Sequence, residues 1–417
     1  MPRNIKKILS KFGPGIITGA SDDDPSGIAT YSIAGASQGY GLLWTALLTF
    51  PLMSAIQEMC ARIGAVTEKG LMGNIKTHYK SKILLYLLAL LVITANTINI
   101  GADLAGMAAA STLLVPIPKL LAAAIITAIV LVLMIFFPYK FIATNLKWLT
   151  FALFAYIAAA LVTEQDWWEI LKNTLIPNIS TSKETLTLII AILGTTISPY
   201  LFFWQASEEV EEIKEEEKEK HKNIIVTKHE LKSLREDVGV GMFFSNLVMF
   251  AIIATTASTL YANGINKIET ADQAAKALEP IAGPAASLLF TLGIIGTGLL
   301  AIPVLAGAAA YAVSEIFGWK EGLSKPFHKA KAFYAIIIFS SVVGFLMNFS
   351  NINPFKALFA TAVLYGLISP ILILFILLLA NNKQTMGTKV NGKLANLLGG
   401  FTLLLMTAAA IGFFVTL

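Results

Sequence analysis

Three consecutive carboxylates, Asp22, Asp23 and Asp24, stand directly before Pro25 inside an otherwise apolar run, GPGIITGASDDDPSGIATYSIAGA. Carboxylates are hard oxygen donors suited to Mg2+, Ca2+ or Mn2+, and a charge at membrane depth is costly enough that it normally marks an ion pathway. Pro25 lacks a backbone N–H and clashes with the preceding turn, so the helix is expected to break beside Asp24. A second run, LTLIIAILGTTISPYLFFWQA, carries Gly194, Thr195, Thr196 and Ser198 ahead of Pro199 and is expected to break there. Irregular backbone at that depth is tolerated only where it is buried in protein or lines a watery cavity. Its exposed carbonyls, and the partial negative charge at half-helix C-termini, suit a cation. Asp24 adds a full charge beside them. Asp22, Asp23, Tyr31 and Gln205 are expected to hold water in an outer shell or to line the entrance. The competing placement, with the aspartates in an external loop, leaves residues 27–38 as a helix too short to span.

The elements that position these residues are apolar helices. The chain of 417 residues is 56% hydrophobic and 14% charged, and apolar stretches of about twenty residues recur, the length that crosses roughly 30 Å of hydrocarbon. Eleven spans are expected, near 12–38, 41–66, 83–113, 117–137, 147–163, 184–207, 239–262, 283–316, 331–349, 355–380 and 396–416. With the N-terminus inside, 25 of the 31 basic residues fall in cytoplasmic segments. The other side holds Lys119, Lys172, Lys183, Lys267, Lys276 and Lys356. This places the N-terminus in the cytoplasm and the C-terminus outside, in a cell membrane. The basic N-terminal stretch has no uninterrupted apolar core and reads as retained. Residues 208–237 form the one long charged run, with Glu four residues ahead of Lys at several points; a solvated helical extension of the sixth span is expected. Both breaks fall in the first helix of a five-helix block, so a single domain is expected, with inverted repeats over about 12–163 and 184–380 and an extra helix at 396–416.

From Gly13 to Ala36 the pattern GPG(x8)DP(x3)AT(x4)GA, together with GTTISPY from Gly194 to Tyr200, resembles the Nramp family of divalent metal transporters. The resemblance covers nearly the whole chain. It implies an all-α polytopic membrane protein of eleven transmembrane helices, a LeuT-like 5+5 inverted repeat with helices 1 and 6 discontinuous. It also implies an alternating-access metal site at the two breaks. The family's D-P-G-N reads here Asp24-Pro25-Ser26-Gly27, and its M-P-H reads Ser198-Pro199-Tyr200. Asp24 keeps the charged ligand. Gly27 stands where an asparagine ligand belongs, Ser198 where a methionine thioether belongs, and Thr195 where a backbone carbonyl approaches the ion. Loss of the soft ligand favours a hard ion, and smaller residues are expected to leave room for bound water. The resemblance is closest to the Nramp-related magnesium transporter branch, so the expected cargo is partly hydrated Mg2+, with ordinary Mn2+ or Fe2+ transport as the alternative.

Proton coupling in the family uses histidines of the sixth helix and charges of the third and ninth. Tyr200 and Gln205 take the histidine positions, Asp103 survives without its partner acid at Gly106, and the ninth span has no arginine. All four histidines read as loop residues. Uncoupled transport is expected, driven by the ion gradient and an interior-negative potential worth ~2.3 kcal/mol per charge per 100 mV. Asp103 is either functional or bonded to Asn96 or Asn99.

Other classes fit less well. The only HExx start, His229-Glu230, has Ser233 where a second zinc-binding histidine is needed, and no GxxxxGK[ST] loop exists, so neither an enzyme nor an ATP-driven pump is expected. The net charge of +5 is spread between apolar runs, against nucleic-acid binding. Cys60 is alone, so no thiolate cage and no intrachain disulfide can form. A carrier of amino acids on the same scaffold would set Asp24 against the substrate carboxylate. No cofactor and no obligatory protein partner is expected beyond the lipid bilayer and the transported ion.

Overall fold

Proline at the first turn of a helix loses a hydrogen bond that would be unmade anyway, and its fixed φ suits the helix. That preference sets both interruptions of the chain. The computed structural model describes residues 14–138, 141, 151–177, 179, 180, 182–220, 226–350 and 352–416. Helix α1 (Pro14–Asp22) stops short of Pro25, and α2 (Pro25–Gln38) starts on it. Asp24 is the N-cap of α2, in extended backbone, and its side chain accepts the Gly27 N–H. A 3-10 turn over Gly39–Leu42 leads into α3 (Trp44–Thr67), with a bend of 108° between the segments. There follow α4 (Leu71–His78), α5 (Lys82–Ser111), α6 (Lys119–Phe136), α7 (Phe154–Val162) and α8 (Trp167–Leu175). The second interruption separates α9 (Lys183–Thr196) from α10 (Pro199–Lys220). The chain continues through α11 (Lys228–Thr259), α12 (Ala286–Phe317), α13 (Lys331–Met347), α14 (Pro354–Ala380) and α15 (Lys393–Val415). No strand occurs among the described residues.

Among the described residues, seven helical segments are long and apolar enough to cross a membrane, or eight when the bent pair of α2 and α3 counts as one. The count departs from eleven for physical reasons. The first two expected spans form that bent pair, α13 at 17 residues is one residue shorter than the shortest of the seven, and residues 147–150 of the fifth expected span lie outside the described residues. Residues 1–13 lie outside them too. The helices that border lipid show it by side-chain exposure: Leu90 on α5 and Leu404 on α15 are each more than 60% exposed despite being apolar.

The half-helices are seated through glycine. Gly19 lets α1 meet α11 so closely that a Cβ there would lie 2.3 Å from the Gly241 carbonyl oxygen. The Asp237 carboxylate accepts the Gly15 N–H at 2.7 Å, covering one of the unpaired donors at the start of α1. Gly194 does for α9 and α14 what Gly19 does for α1 and α11.

The charged run differs from its expected form. It is divided between the end of α10 and the first turns of α11, with residues 221–225 outside the described set. Its start is also packed rather than solvated, since Glu209 is buried and bonded to Gln205. The apolar face of α10 continues past the expected end of the span and carries these acids inward. Glu211 accepts hydrogen bonds from the Tyr311 hydroxyl and from the N–H groups of Leu323 (2.9 Å) and Ser324 (3.0 Å). The turn it grips contains Gly322 at φ +127°, and a Cβ there would meet Glu211 at 2.5 Å. Glu211→Ala is expected to free the Ser324 amide at a cost of about 1–3 kcal/mol, while the Leu323 N–H keeps the Tyr311 hydroxyl at 3.2 Å, so hydrogen exchange at Ser324 should accelerate roughly tenfold or more. Unchanged exchange there would show that the turn holds itself.

Candidate functional site

Each break frees backbone carbonyls, and hydroxyls from neighbouring elements take them up. At the end of α1 the Ser21 carbonyl accepts the Tyr200 hydroxyl at 2.9 Å. At the end of α9, Ser198 donates back to Thr195 O at 2.7 Å and Gly194 O at 3.1 Å, and Ser369 donates to Ile197 O at 3.1 Å. Ser198 and Tyr200 thereby close the gaps that the prolines open. The Ser198 proton is committed to its own helix end.

Asp24 stands at the start of α2 with its carboxylate fully enclosed. One oxygen accepts the Ser26 hydroxyl at 2.6 Å and the Gly27 N–H at 2.8 Å. The other accepts the Asn99 amide at 2.8 Å. Ser26 also lies 3.5 Å from the Thr195 hydroxyl, so α2 and α9 meet at the two breaks. Helix α5 presents Asn96, Asn99 and Asp103 at spacings of three and four, which puts all three on its buried face. Asn96 turns away, donating to Leu305 O at 2.9 Å and accepting the Tyr365 hydroxyl at 3.0 Å. Of the two bonding partners open to Asp103, Asn99 is the one, at 3.4 Å.

Ser198 aside, the expected residues therefore fall in four places. Asp24, Gly27, Thr195 and Asp103 surround one point together with Ser26 and Asn99. Asp22 and Asp23 share the Ser245 hydroxyl of α11, at 2.5 and 3.4 Å. Gln205 accepts from Thr18 at 2.6 Å and donates to Glu209 at 2.9 Å, which ties α1 to α10 rather than reaching the Asp24 carboxylate. Tyr31 is buried, and its ring edge is 3.4 Å from where a Gly27 Cβ would stand.

Two expectations need correction. The space beside Gly27 is not open: a Cβ would meet the Thr195 hydroxyl at 3.2 Å and the Asp22 carbonyl at 3.5 Å. Glycine here lets α2 and α9 approach, so the smaller residue is matched by closer helices instead of a water-filled gap. The histidines are also not all in loops. His78 ends α4 and His229 opens α11, while His328 lies in a 3-10 turn and His221 is outside the described residues. Among the described residues no three Asp, Glu, His or Cys side chains converge as a metal cage. Any ion held at the breaks must draw on carbonyls, amides or water as well as Asp24.

A separate cavity of about 490 Å³ opens near the ends of α10 and α12, lined by Lys69, Lys76, Lys214, Glu315 and Glu321 among others. Burial, with the Glu315 charge next, pushes the Glu321 carboxyl in the following loop up to about 8. None of the break residues lines this cavity.

Asn99 was legible in the sequence only as a bonding partner of Asp103. Its contact with Asp24 joins residues 75 positions apart, and nothing in local spacing announces it. The usable signal was the polar stripe itself, Asn96, Asn99 and Asp103 on one face of an apolar helix.

A family model described as natural resistance-associated macrophage protein-like matches residues 15–416. A protein of Pectobacterium carotovorum named divalent metal cation transporter MntH is 26% identical, over 97% of this chain and 94% of its own length. Among solved structures, the manganese transporter of Eremococcus coleocola superposes with a TM-score of 0.76 at 18% identity, covering 100% of this chain and 88% of that one. Mhp1, a nucleobase-cation-symport-1 family transporter, superposes at 0.52 with 15% identity, covering 97% of this chain and 89% of that one. These likenesses establish the broken-helix fold.

Proposed function

This chain belongs to the Nramp family, whose members are transporters and not enzymes, and from that premise we propose that it carries a divalent metal cation across a cell membrane by alternating access to the two breaks. The observation that carries the proposal is the buried Asp24 carboxylate, set at the start of α2 and facing the broken end of α9. A buried carboxylate beside C-terminal carbonyl dipoles favours a cation and disfavours an anionic solute. Asp24, Gly27, Thr195 and Ser198 are proposed to form the ion's surroundings, with Asp22, Asp23, Tyr31, Gln205 and Asp103 further out. The proposed repeats span about 12–163 and 184–380, with the N-terminus in the cytoplasm.

Two readings of the cargo follow from different observations. The relatives' names support a transition-metal cargo such as Mn2+, and oxygen sites of this kind usually bind Mn2+ more tightly than Mg2+. The absence of a thioether or imidazole at the breaks supports a hard ion, Mg2+, that keeps part of its water. Tyr200 and Gln205, where the family carries histidines, do not titrate in the range of an imidazole, and uncoupled transport fits that replacement; Tyr200 donates to the Ser21 carbonyl and Gln205 to the Glu209 carboxyl.

Proteoliposomes loaded with ion-sensitive and pH-sensitive dyes decide between them. Under an inward gradient, Mg2+ influx without acidification is the outcome expected of the hydrated-ion reading. Mn2+ influx that Mg2+ neither matches nor competes with would make the transition-metal reading correct. Acidification accompanying either ion would rule out uncoupled transport.

A further inference from the structure

The geometry at α5 points to one more ligand. We infer that Asn99 presents its carboxamide oxygen to the transported cation, supplying from α5 a side-chain oxygen that Gly27 does not offer from α2. This deepens the reading of Asp24 as the central ligand and rests on it.

An amide's nitrogen and oxygen are hard to tell apart by shape, but its partners decide which is which. The Asn99 group that lies 2.8 Å from one Asp24 oxygen and 3.4 Å from an Asp103 oxygen faces two carboxylates, so it is the NH2. The orientation of the side chain is therefore fixed, and Oδ1 must point elsewhere. That oxygen is buried and has no hydrogen-bond partner. Asn99 as a whole is 0% exposed. A buried carbonyl oxygen without a partner is destabilising, and a cation or its water would relieve it.

Reach agrees with the assignment. The two heavy atoms of an amide are roughly 2.3 Å apart, so Oδ1 lies within about 5 Å of the Asp24 oxygen that Nδ2 touches. Oxygens on opposite sides of a Mg2+ ion stand about 4.2 Å apart. A shift of about 1 Å brings both into one coordination sphere. Asp103 then has a role as a positioning residue, since its carboxylate holds the amide with the oxygen free. Gly27 completes the arrangement, because a side chain there would press on Thr195 and Tyr31.

The test compares wild type, Asp24→Ala, Asn99→Cys and Asn99→Ala in the same liposomes, reading Mg2+ and Mn2+ uptake and its inhibition by Cd2+. A thiol is a soft donor that favours Cd2+. If Asn99 faces the ion, Asn99→Cys should tighten Cd2+ inhibition by roughly tenfold, and Asn99→Ala should raise KM by a similar factor and alter the Mg2+ to Mn2+ preference. Cys60 is present in every arm and buried on α3, so it does not contribute to the difference. Unchanged Cd2+ inhibition in an Asn99→Cys protein that still transports would overturn the inference. So would an Asn99→Ala protein with wild-type KM and preference, which covers the case in which the cysteine variant does not fold. Transport surviving in Asp24→Ala would instead remove the reading beneath it, so the two failures are distinguishable.

Discussion

Asp24→Asn is expected to leave the broken helix intact and to lower divalent-ion uptake by roughly a hundredfold or more. The reasoning separates two roles of one carboxylate. As N-cap, Asp24 accepts the Gly27 N–H, and asparagine caps a helix about as well as aspartate, so α2 should form as before. As an ion ligand it supplies the full charge at the point where α2 and α9 meet. Removing one partner of a buried charge pair costs about 3–5 kcal/mol, and each 1.4 kcal/mol is a factor of ten. Asp24→Ala loses the charge and also the cap, for about 1 kcal/mol of additional instability. The measurement is uptake in proteoliposomes beside thermal unfolding of the same preparations. Wild-type melting with uptake gone identifies the charge as the essential element. An asparagine variant that transports at the wild-type rate would show that Asp24 is a cap and nothing more.

The breaks were legible because their cause is local. Pro25 and Pro199 each begin a helix, whereas Pro51, Pro303 and Pro370 stay inside theirs, so what marked the two breaks was proline together with the run of polar residues ahead of it. The apolar runs were legible for the same reason, since length and hydropathy belong to the segment alone. What escaped the sequence depends on residues far apart in the chain. The room near Gly27 is set by how close α9 comes, and that approach is fixed through Gly194 and Gly366 on α14. The Ser198 hydroxyl turns onto its own carbonyls because the break leaves those carbonyls unpaired nearby. The charged run divides where α10 stops; Glu209 at its start is buried and bonded to Gln205, and Glu211 is held by Tyr311 and the turn after α12. Asn99 falls between the two cases. Its helix face could be read, and its partner Asp24 could not.

Gly194→Val is expected to cost the folded protein more than any substitution in the ion's immediate surroundings. A Cβ at Gly194 would lie 2.1 Å from the Ala362 carbonyl oxygen and 2.3 Å from the Gly366 nitrogen. Real Cβ atoms do not come so near, and both obstacles are backbone of α14, which no rotamer change can move aside. The seam is reciprocal, since a Cβ at Gly366 would meet Ile190 O at 2.4 Å. Helix α9 would have to rise from α14 along its length, exposing Leu193, Ile190 and Ala362, which are now buried. Overpacking against movable side chains already costs about 1–3 kcal/mol, so about 3 kcal/mol is a lower bound here, or roughly a hundredfold in the packed population. Lifting α9 also carries Thr195 away from Ser26 and opens the meeting point of the breaks, so stability and uptake should fall together. Gly194→Ala already introduces the offending atom, and it should show most of the loss in a melting curve. Near-native stability in that variant would mean that α9 and α14 can separate without cost, and the close approach would then not be what holds the second break in place.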